Sequence, residues 1–276
     1  MKTAARLTPY ELVFTEGDFE SRIFPQIRVE AGEAIDTLPR DKFDFIRTAG
    51  EVVRELTPDD APPEALEQYR AILFHAFHFW AERHPLYLLE PATARYLVEA
   101  EPALDDWSFS SPARSLYLQL PANLFWSSIS PDVPPEPVDG FFLTLSAGED
   151  PVGDAYEHLD VLVVLGIRRA RAGFSVIAVE TEIGSGMENP WTSEARRGGD
   201  FANELPGGEL AGLYSILTSD EVLKLVARAL WYIESFPEGA LEVPAPEVAD
   251  RTTEPPSTHL SYVRITLSEA ELGEGG

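Results

Sequence analysis

Three groups of residues have the types and spacing to do chemistry. His75, His78 and Glu82 fall at offsets of three and seven. On a helix that spacing sets two imidazoles and a carboxylate on one face, where they can offer themselves to a divalent metal. The same face equally suits a half-exposed polar stripe carrying a His78–Glu82 pair. The second group is Asp160, Glu180 and Glu182. They lie in two strand-like segments, Leu159–Ile167 and Phe174–Ile183, which flank the short Arg168–Gly173. An antiparallel hairpin turning at Ala170-Arg171 sets residues whose numbers sum to about 341 opposite one another. Asp160 then faces Thr181, with Glu180 and Glu182 on the diagonals, while Glu157 and His158 enter from the preceding turn. Clustered carboxylate oxygens of this kind suit Mg²⁺ or Mn²⁺, or a general acid and base. The third group is Trp191, Arg196, Arg197 and Asp200, inside the glycine-rich stretch Gly184–Gly208. Exposed Trp and Arg are the residue types that dominate binding energy at protein interfaces. Arg168, Arg169 and Arg171 on the hairpin tip can grip an anion or pair with the chain's own carboxylates.

The hairpin resembles the signature of PD-(D/E)xK-type nucleases: a strand beginning with Asp, a short turn, and a strand ending in Glu-x-Lys. Asp160 and Glu180 occupy the matching places, over about a tenth of the chain. That resemblance implies a core of helix, three strands, helix and strand, and metal-dependent cleavage of nucleic acid. Where the family places Lys, this chain has Glu182, so the cation that would stabilise developing charge is missing.

Other chemistries are absent by composition. The 276 residues include no Cys, which excludes disulfides, thiolate metal sites and Cys nucleophiles. No Gly-x-Ser-x-Gly elbow, GxxxxGK[ST] loop or GxGxxG turn occurs. The charge is lopsided, with 47 Asp and Glu against 21 Lys and Arg, a formal net charge of −26. The excess is not a tail: residues 1–138 carry 23 acids and 12 bases, and residues 139–276 carry 24 and 9. Such a balance repels DNA, RNA and anionic lipid at long range. It reads as a solubility device or as a phosphate-like surface for a basic protein. The opening MKTAARLTPYELVF has no apolar core, so no signal peptide is expected, and no apolar run approaches a membrane-spanning length. A cytoplasmic protein is expected.

The positioning elements follow from periodicity. Asp41–Leu56 reads as an amphipathic helix. From Pro62-Pro63 to Arg83 the pattern is helical, with an apolar arc wide enough to be largely buried, and His84-Pro85 ends it. A short helix is expected from Pro91 to Ala100. The period then changes to two at Ser115–Leu120, Gly140–Ser146 and the hairpin segments. Five successive apolar residues at Val161–Leu165 argue for a central strand covered on both faces. A helix runs from Ser219-Asp220 to about Phe236, and His259–Leu267 adds an edge strand. Glu11–Phe14 and Ile23–Val29 read as short strands around the turn-prone Glu16-Gly17-Asp18. Ser127–Asp139 and Gly184–Gly208 are long insertions of the kind that carry function.

The expected class is α+β: N-terminal helices, a mainly antiparallel sheet of four to five strands, a C-terminal helix and an edge strand. Residues 1–267 form one domain, and 268–276 a disordered acidic tail. The leading functional expectation is a non-catalytic interaction or accessory protein with a protein partner, using the Trp191 loop and needing no cofactor. The alternatives are a Mg²⁺- or Mn²⁺-dependent hydrolase at Asp160, Glu180 and Glu182, and an acidic DNA mimic that inhibits a basic partner. Direct nucleic-acid or membrane binding is not expected.

Overall fold

The computed structural model describes residues 4–14, 19–31, 63–99, 107–128, 133–149, 155–166, 174–183, 212–246 and 257–268. It also describes residues 45, 49, 54, 104, 204, 205, 208 and 209. Short N-terminal helices α1 (Pro9–Val13) and α2 (Phe24–Ala31) precede the long α3 (Pro63–Ala81). Then come β1 (Leu86–Leu89), α4 (Pro91–Glu99), β2 (Ser115–Gln119), β3 (Phe125–Ser127), β4 (Glu136–Glu149), β5 (Ala155–Leu165) and β6 (Ser175–Ile183). β7 (Glu204–Leu205) and β8 (Gly208–Glu209) form a separate small pair, followed by β9 (Tyr214–Ser215), α5 (Ser219–Ser235), β10 (Ala240–Val243) and β11 (Tyr262–Ile265).

Nine of these strands make one mixed sheet. Its main run is β10–β11–β1–β2–β4–β5–β6, while β3 and β9 extend it beside the start of β4. The α+β class holds, but the sheet is larger than the four to five strands expected. It is also not mainly antiparallel on one side, because β1 pairs parallel with both β2 and β11. Strand β11 is therefore interior, between β1 and β10, and not the edge its sequence suggests. The miss has a physical source: β1 and β10 are only four residues each, too short to show a clear period.

Both faces of the sheet are covered. On β5, Leu159, Val161, Val163 and Leu165 join the core beneath α4 and α5. Leu162 and Val164 point the other way, into the core beneath α1, α2 and α3. The run Val161–Leu165 is covered on both faces as expected. Its strand, however, is the last but one on its side of the sheet, between β4 and β6, and not central. Each fully buried side chain of this size contributes about 1.5–3 kcal/mol. The α3 face is built from aromatics: Phe24 stacks on Trp80 with ring centroids 4.1 Å apart, and Phe79 meets Phe142 edge-on at 5.5 Å. Phe45 and Ala49, helical as expected, are buried in this same core.

The segments Glu11–Phe14 and Ile23–Val29, expected as strands, are helical instead. Local capping chemistry decides the first. Thr8 accepts from the Glu11 amide while the Glu11 side chain accepts from the Thr8 amide, with Pro9 at the first helical position. A cap of this type is worth about 1 kcal/mol. Glu11 also accepts from the Thr258 hydroxyl and the His259 amide, tying this helix to the chain just before β11. Thr218 and Glu221 repeat the same box at the start of α5. Ser268, the first residue of the expected tail, is buried, its amide donating to the Tyr232 hydroxyl at 2.9 Å. Residues 269–276, the Glu16-Gly17-Asp18 turn, most of 41–56 and the Arg168–Gly173 turn lie outside the described residues.

One buried ion pair fixes the N-terminal segment to the sheet. Arg6 Nε donates to Asp139 at 2.8 Å, with both side chains almost wholly enclosed. Arg6 Nη2 also donates to the Leu120 carbonyl, and its backbone amide to Gln119 Oε1, each at 2.8 Å. Asp139 sits where the β4–β5 register shifts between Val138 and Gly140. Its other oxygen accepts from the Tyr117 hydroxyl at 2.8 Å. At Gly140 a Cβ would lie 2.4 Å from the Leu118 carbonyl oxygen, so only glycine lets β2 and β4 approach here.

Replacing Arg6 with Ala leaves the Asp139 charge buried without its partner. Urea unfolding of Arg6→Ala is expected to show a loss of about 3–5 kcal/mol. Tyr117 supplies a second test. Burial, followed by the nearby Asp139 charge and hydrogen bond, holds its phenol well above its ordinary value of 10.0, with Arg6 opposing. The unfolded chain loses this proton first, so stability is unaffected below about pH 10 and falls as pH rises beyond it. In Tyr117→Phe the alkaline slope is expected to flatten by up to about 1.4 kcal/mol per pH unit. Urea melts on either side of pH 10 measure the change.

Candidate functional site

The acidic hairpin is real, and its register differs by one from the expected one. Asp160 pairs with Glu180 and His158 with Glu182. Directly opposed residues share a face, so the shift gathers the acids where the expected register would have split them. Thr144 of β4 lies opposite Asp160, and Ser115 of β2 opposite Thr144. A row Ser115–Thr144–Asp160–Glu180 thus crosses four strands on the face that α3 covers. Beside it runs Ser146–His158–Glu182.

Burial grades along these rows. Ser115 and Thr144 are inaccessible and Asp160 is 2% exposed, whereas Glu180 and Glu182 on β6 stand in solvent. The buried end is hydrogen-bonded. His75 of α3 reaches down to the sheet, its Nδ1 2.8 Å from Thr144 Oγ1, which also lies 3.0 Å from Ser115 Oγ. The Ser146 hydroxyl donates to Asp160 Oδ2 at 2.5 Å. At the open end His158 Nε2 is 3.6 Å from a Glu182 carboxylate oxygen.

This arrangement holds Ser, His and Asp side chains on one face without joining them into a nucleophile, base and orienting acid. His75 engages a threonine, and the Ser146 proton is directed at a carboxylate instead of an imidazole. His75 is 2% exposed and its ring lies parallel to that of Phe142 at 5.9 Å. The group fastens α3 to the sheet.

The expected metal trio is not assembled. His75 faces the sheet, and His78 is half-buried among Phe45, Phe74 and Phe77. Glu82 follows the last turn of α3 and lines a groove elsewhere. Among the described residues no three His, Asp or Glu side chains form a group able to hold a metal ion, and that includes the Asp160, Glu180 and Glu182 set. The helical offsets are right, but α3 is buried over a wider arc than a half-exposed stripe allows. Trp191, Arg196, Arg197 and Asp200 lie outside the described residues. Sequence reasoning missed the Arg6–Asp139–Tyr117 cluster. Its members come from three distant segments, and no local spacing signals them.

At the end of α3 the sequence signals only a stop, and the structure adds its geometry. Arg83 and His84 have φ of 64° and 60°, left-handed values that cost an L-residue roughly 1–2 kcal/mol. The Arg83 amide donates to the Trp80 carbonyl and the His84 amide to the Phe79 carbonyl. This is the Schellman ending, with Arg83 where glycine is usual.

Among the described residues no helix is long and apolar enough to cross a membrane. No protein-family model matches the chain, and no curated protein matches it in sequence. A solved structure does: the crystal structure of AcrVA2 covers 96% of this chain and 83% of its own, with a TM-score of 0.51 and 11% identity. At that identity the likeness is one of fold.

The placement of His75 makes a prediction opposite in kind to a metal site. His75→Ala is expected to lower stability by about 2–4 kcal/mol, through a cavity and an unmade buried hydrogen bond. Metal content of wild type and variant, measured by elemental analysis after dialysis, is expected to be the same.

Proposed function

We propose that this chain is a non-catalytic accessory or inhibitory protein that binds another protein through an acidic sheet edge. The observation that carries the reading is the gradient across β4, β5 and β6. The groups able to do chemistry, Asp160, Ser146 and His75, are enclosed and hydrogen-bonded, while on the same face the outer strand leaves the Glu180 and Glu182 carboxylates in solvent. Glu180 and Glu182 stand on β6, which pairs with β5 along one side. A net charge of −26 steers a basic partner toward such an edge and accelerates encounter. The fold likeness to AcrVA2, an anti-CRISPR protein, is the ground for including inhibition.

In this reading the stretch Gly184–Gly208, which begins where β6 ends, supplies the anchors Trp191, Arg196 and Arg197, with Asp200 beside them. Residues 1–267 act as one domain. The reading requires no Mg²⁺ or Mn²⁺, and Glu182 in place of a lysine weighs against nuclease chemistry at the hairpin.

The test is affinity capture from extracts of the source cells at about 50 mM and about 500 mM salt. Wild type is compared with Glu180→Lys/Glu182→Lys and with Trp191→Ala. A bound protein should be retained at low salt, released at high salt, and weakened roughly tenfold or more by charge reversal. The exposed Glu substitutions should leave the melting temperature within about 2 °C. Mg²⁺-dependent hydrolysis of nucleic acid that disappears in Asp160→Asn, or a partner indifferent to charge reversal, would overturn the proposal.

A further inference from the structure

A groove of about 530 Å³ opens where β1 and β11 begin and β10 ends, within the size range of small-molecule sites. Its rim is the Glu82–Pro85 turn after α3, and its opposite wall is formed by Glu242–Pro244 and Ser261–Val263. None of the acids of the β5–β6 hairpin lines it. It lies at the other end of the sheet, five to six strand spacings from β6, or about 25 Å.

Two features set its lining apart. First, Glu82, Arg83, Glu242 and Tyr87 all face this groove, and among the described residues none of their side chains has a hydrogen bond, ion pair or ring contact. In a chain with more than two acids per base, an arginine that lines a groove with two carboxylates and pairs with neither is out of the ordinary. Second, Arg83 and the adjoining His84 hold left-handed backbone at positions where glycine is conformationally cheaper. Backbone strain concentrated on groove-lining residues is a pointer to function.

We infer that this groove binds a small zwitterion of the amino-acid class, a free amino acid or a di- or tripeptide. Arg83 takes the carboxylate, Glu82 and Glu242 take the ammonium, and Tyr87, Leu86 and Val263 receive the apolar body. Arg83 forms no ion pair with Glu82 or Glu242, so a zwitterion can meet charges of both signs at once. A ligand with one charge satisfies only one side and leaves the other facing a like-charged or apolar group.

Isothermal titration of the full chain tests this with leucine and leucyl-leucine. N-acetyl-leucyl-leucine and leucyl-leucinamide serve as controls lacking the ammonium and the carboxylate. Saturable binding of at least one zwitterion is expected, with both blocked peptides weaker by roughly tenfold or more. Equal affinity for leucine and leucyl-leucine assigns a free amino acid, and preference for leucyl-leucine assigns a peptide. Arg83→Gly should lose roughly tenfold in affinity while its melting temperature stays level or rises, because glycine suits the left-handed backbone. Glu242→Gln should weaken binding without moving the melting temperature. Absence of saturation with either zwitterion, equal binding of the blocked peptides, or unchanged affinity in Arg83→Gly would overturn the inference.

Discussion

Strand β4 is the constraint on which the rest of the molecule depends. Along one side it pairs with β5 from Val138 to Glu149, and along the other it pairs first with β3 and then with β2. A slip of one residue anywhere on it would exchange the faces of every side chain on the strand. Two features prevent the slip. Gly140 is the residue that allows the close approach of β2, and Asp139 beside it is held by Arg6 and Tyr117. The first residues of the chain thereby help to hold the register of its middle, β4 against β2 and β5. Asp160 meets Thr144 on one side through this register, and Glu180 on the other through the β5–β6 pairing.

The α3 face carries polar groups at both ends of this arrangement. At one end lie Arg6, Asp139, Tyr117 and Gln119, and at the other His75, Thr144, Ser115, Ser146 and Asp160. Between them the face is aromatic and aliphatic. Buried polar networks stabilise little beyond what an apolar core of the same shape would, but half-satisfied alternatives are costly. They therefore select one docking of α3 and of the N-terminal segment over other packings that an aromatic face would tolerate. This explains why residues that look catalytic from their types are inaccessible. Their chemistry is used to specify position.

The parts of the fold legible in the sequence are those with long, uniform periods. Helices α3, α4 and α5 and strands β2 and β6 lie where periodicity sets them. Strand β4, by contrast, starts at Glu136, inside the expected Ser127–Asp139 insertion. Strand β5 starts at Ala155, so that Glu157 and His158 belong to the strand and not to a preceding turn. Strand alternation also showed that Asp160, Glu180 and Glu182 belong to one region. It could not fix the register, because the turn through Arg168–Gly173 admits more than one centre and a change of one residue moves the sum from 341 to 340. Short elements were illegible for a different reason. Four-residue strands carry too few alternations, and at α1 a capping box outweighs strand propensity. The Arg83–His84 turn has a helix-ending sequence, and its left-handed backbone is written in no residue type.

The charge distribution joins the two proposed surfaces. Among the described residues Arg6, Arg228 and Arg264 are buried, and so are Asp139, Asp160 and Glu221. Arg228 donates to the Leu97 and Val98 carbonyls at the end of α4, and Arg264 lies 3.4 Å from Glu90. Among the described residues the buried charges are of both signs, so burial there does little to reduce the acidic excess. Self-repulsion of that size opposes folding, and the core on each face of the sheet has to offset it. Solubility alone needs far less charge. In the proposed reading the excess serves association, with the Glu180–Glu182 edge as the place where carboxylates are aligned by the sheet. Against that excess, Arg83 is exposed and shares its groove with Glu82 and Glu242 without an ion pair to either. The backbone of the Schellman turn keeps it at the groove.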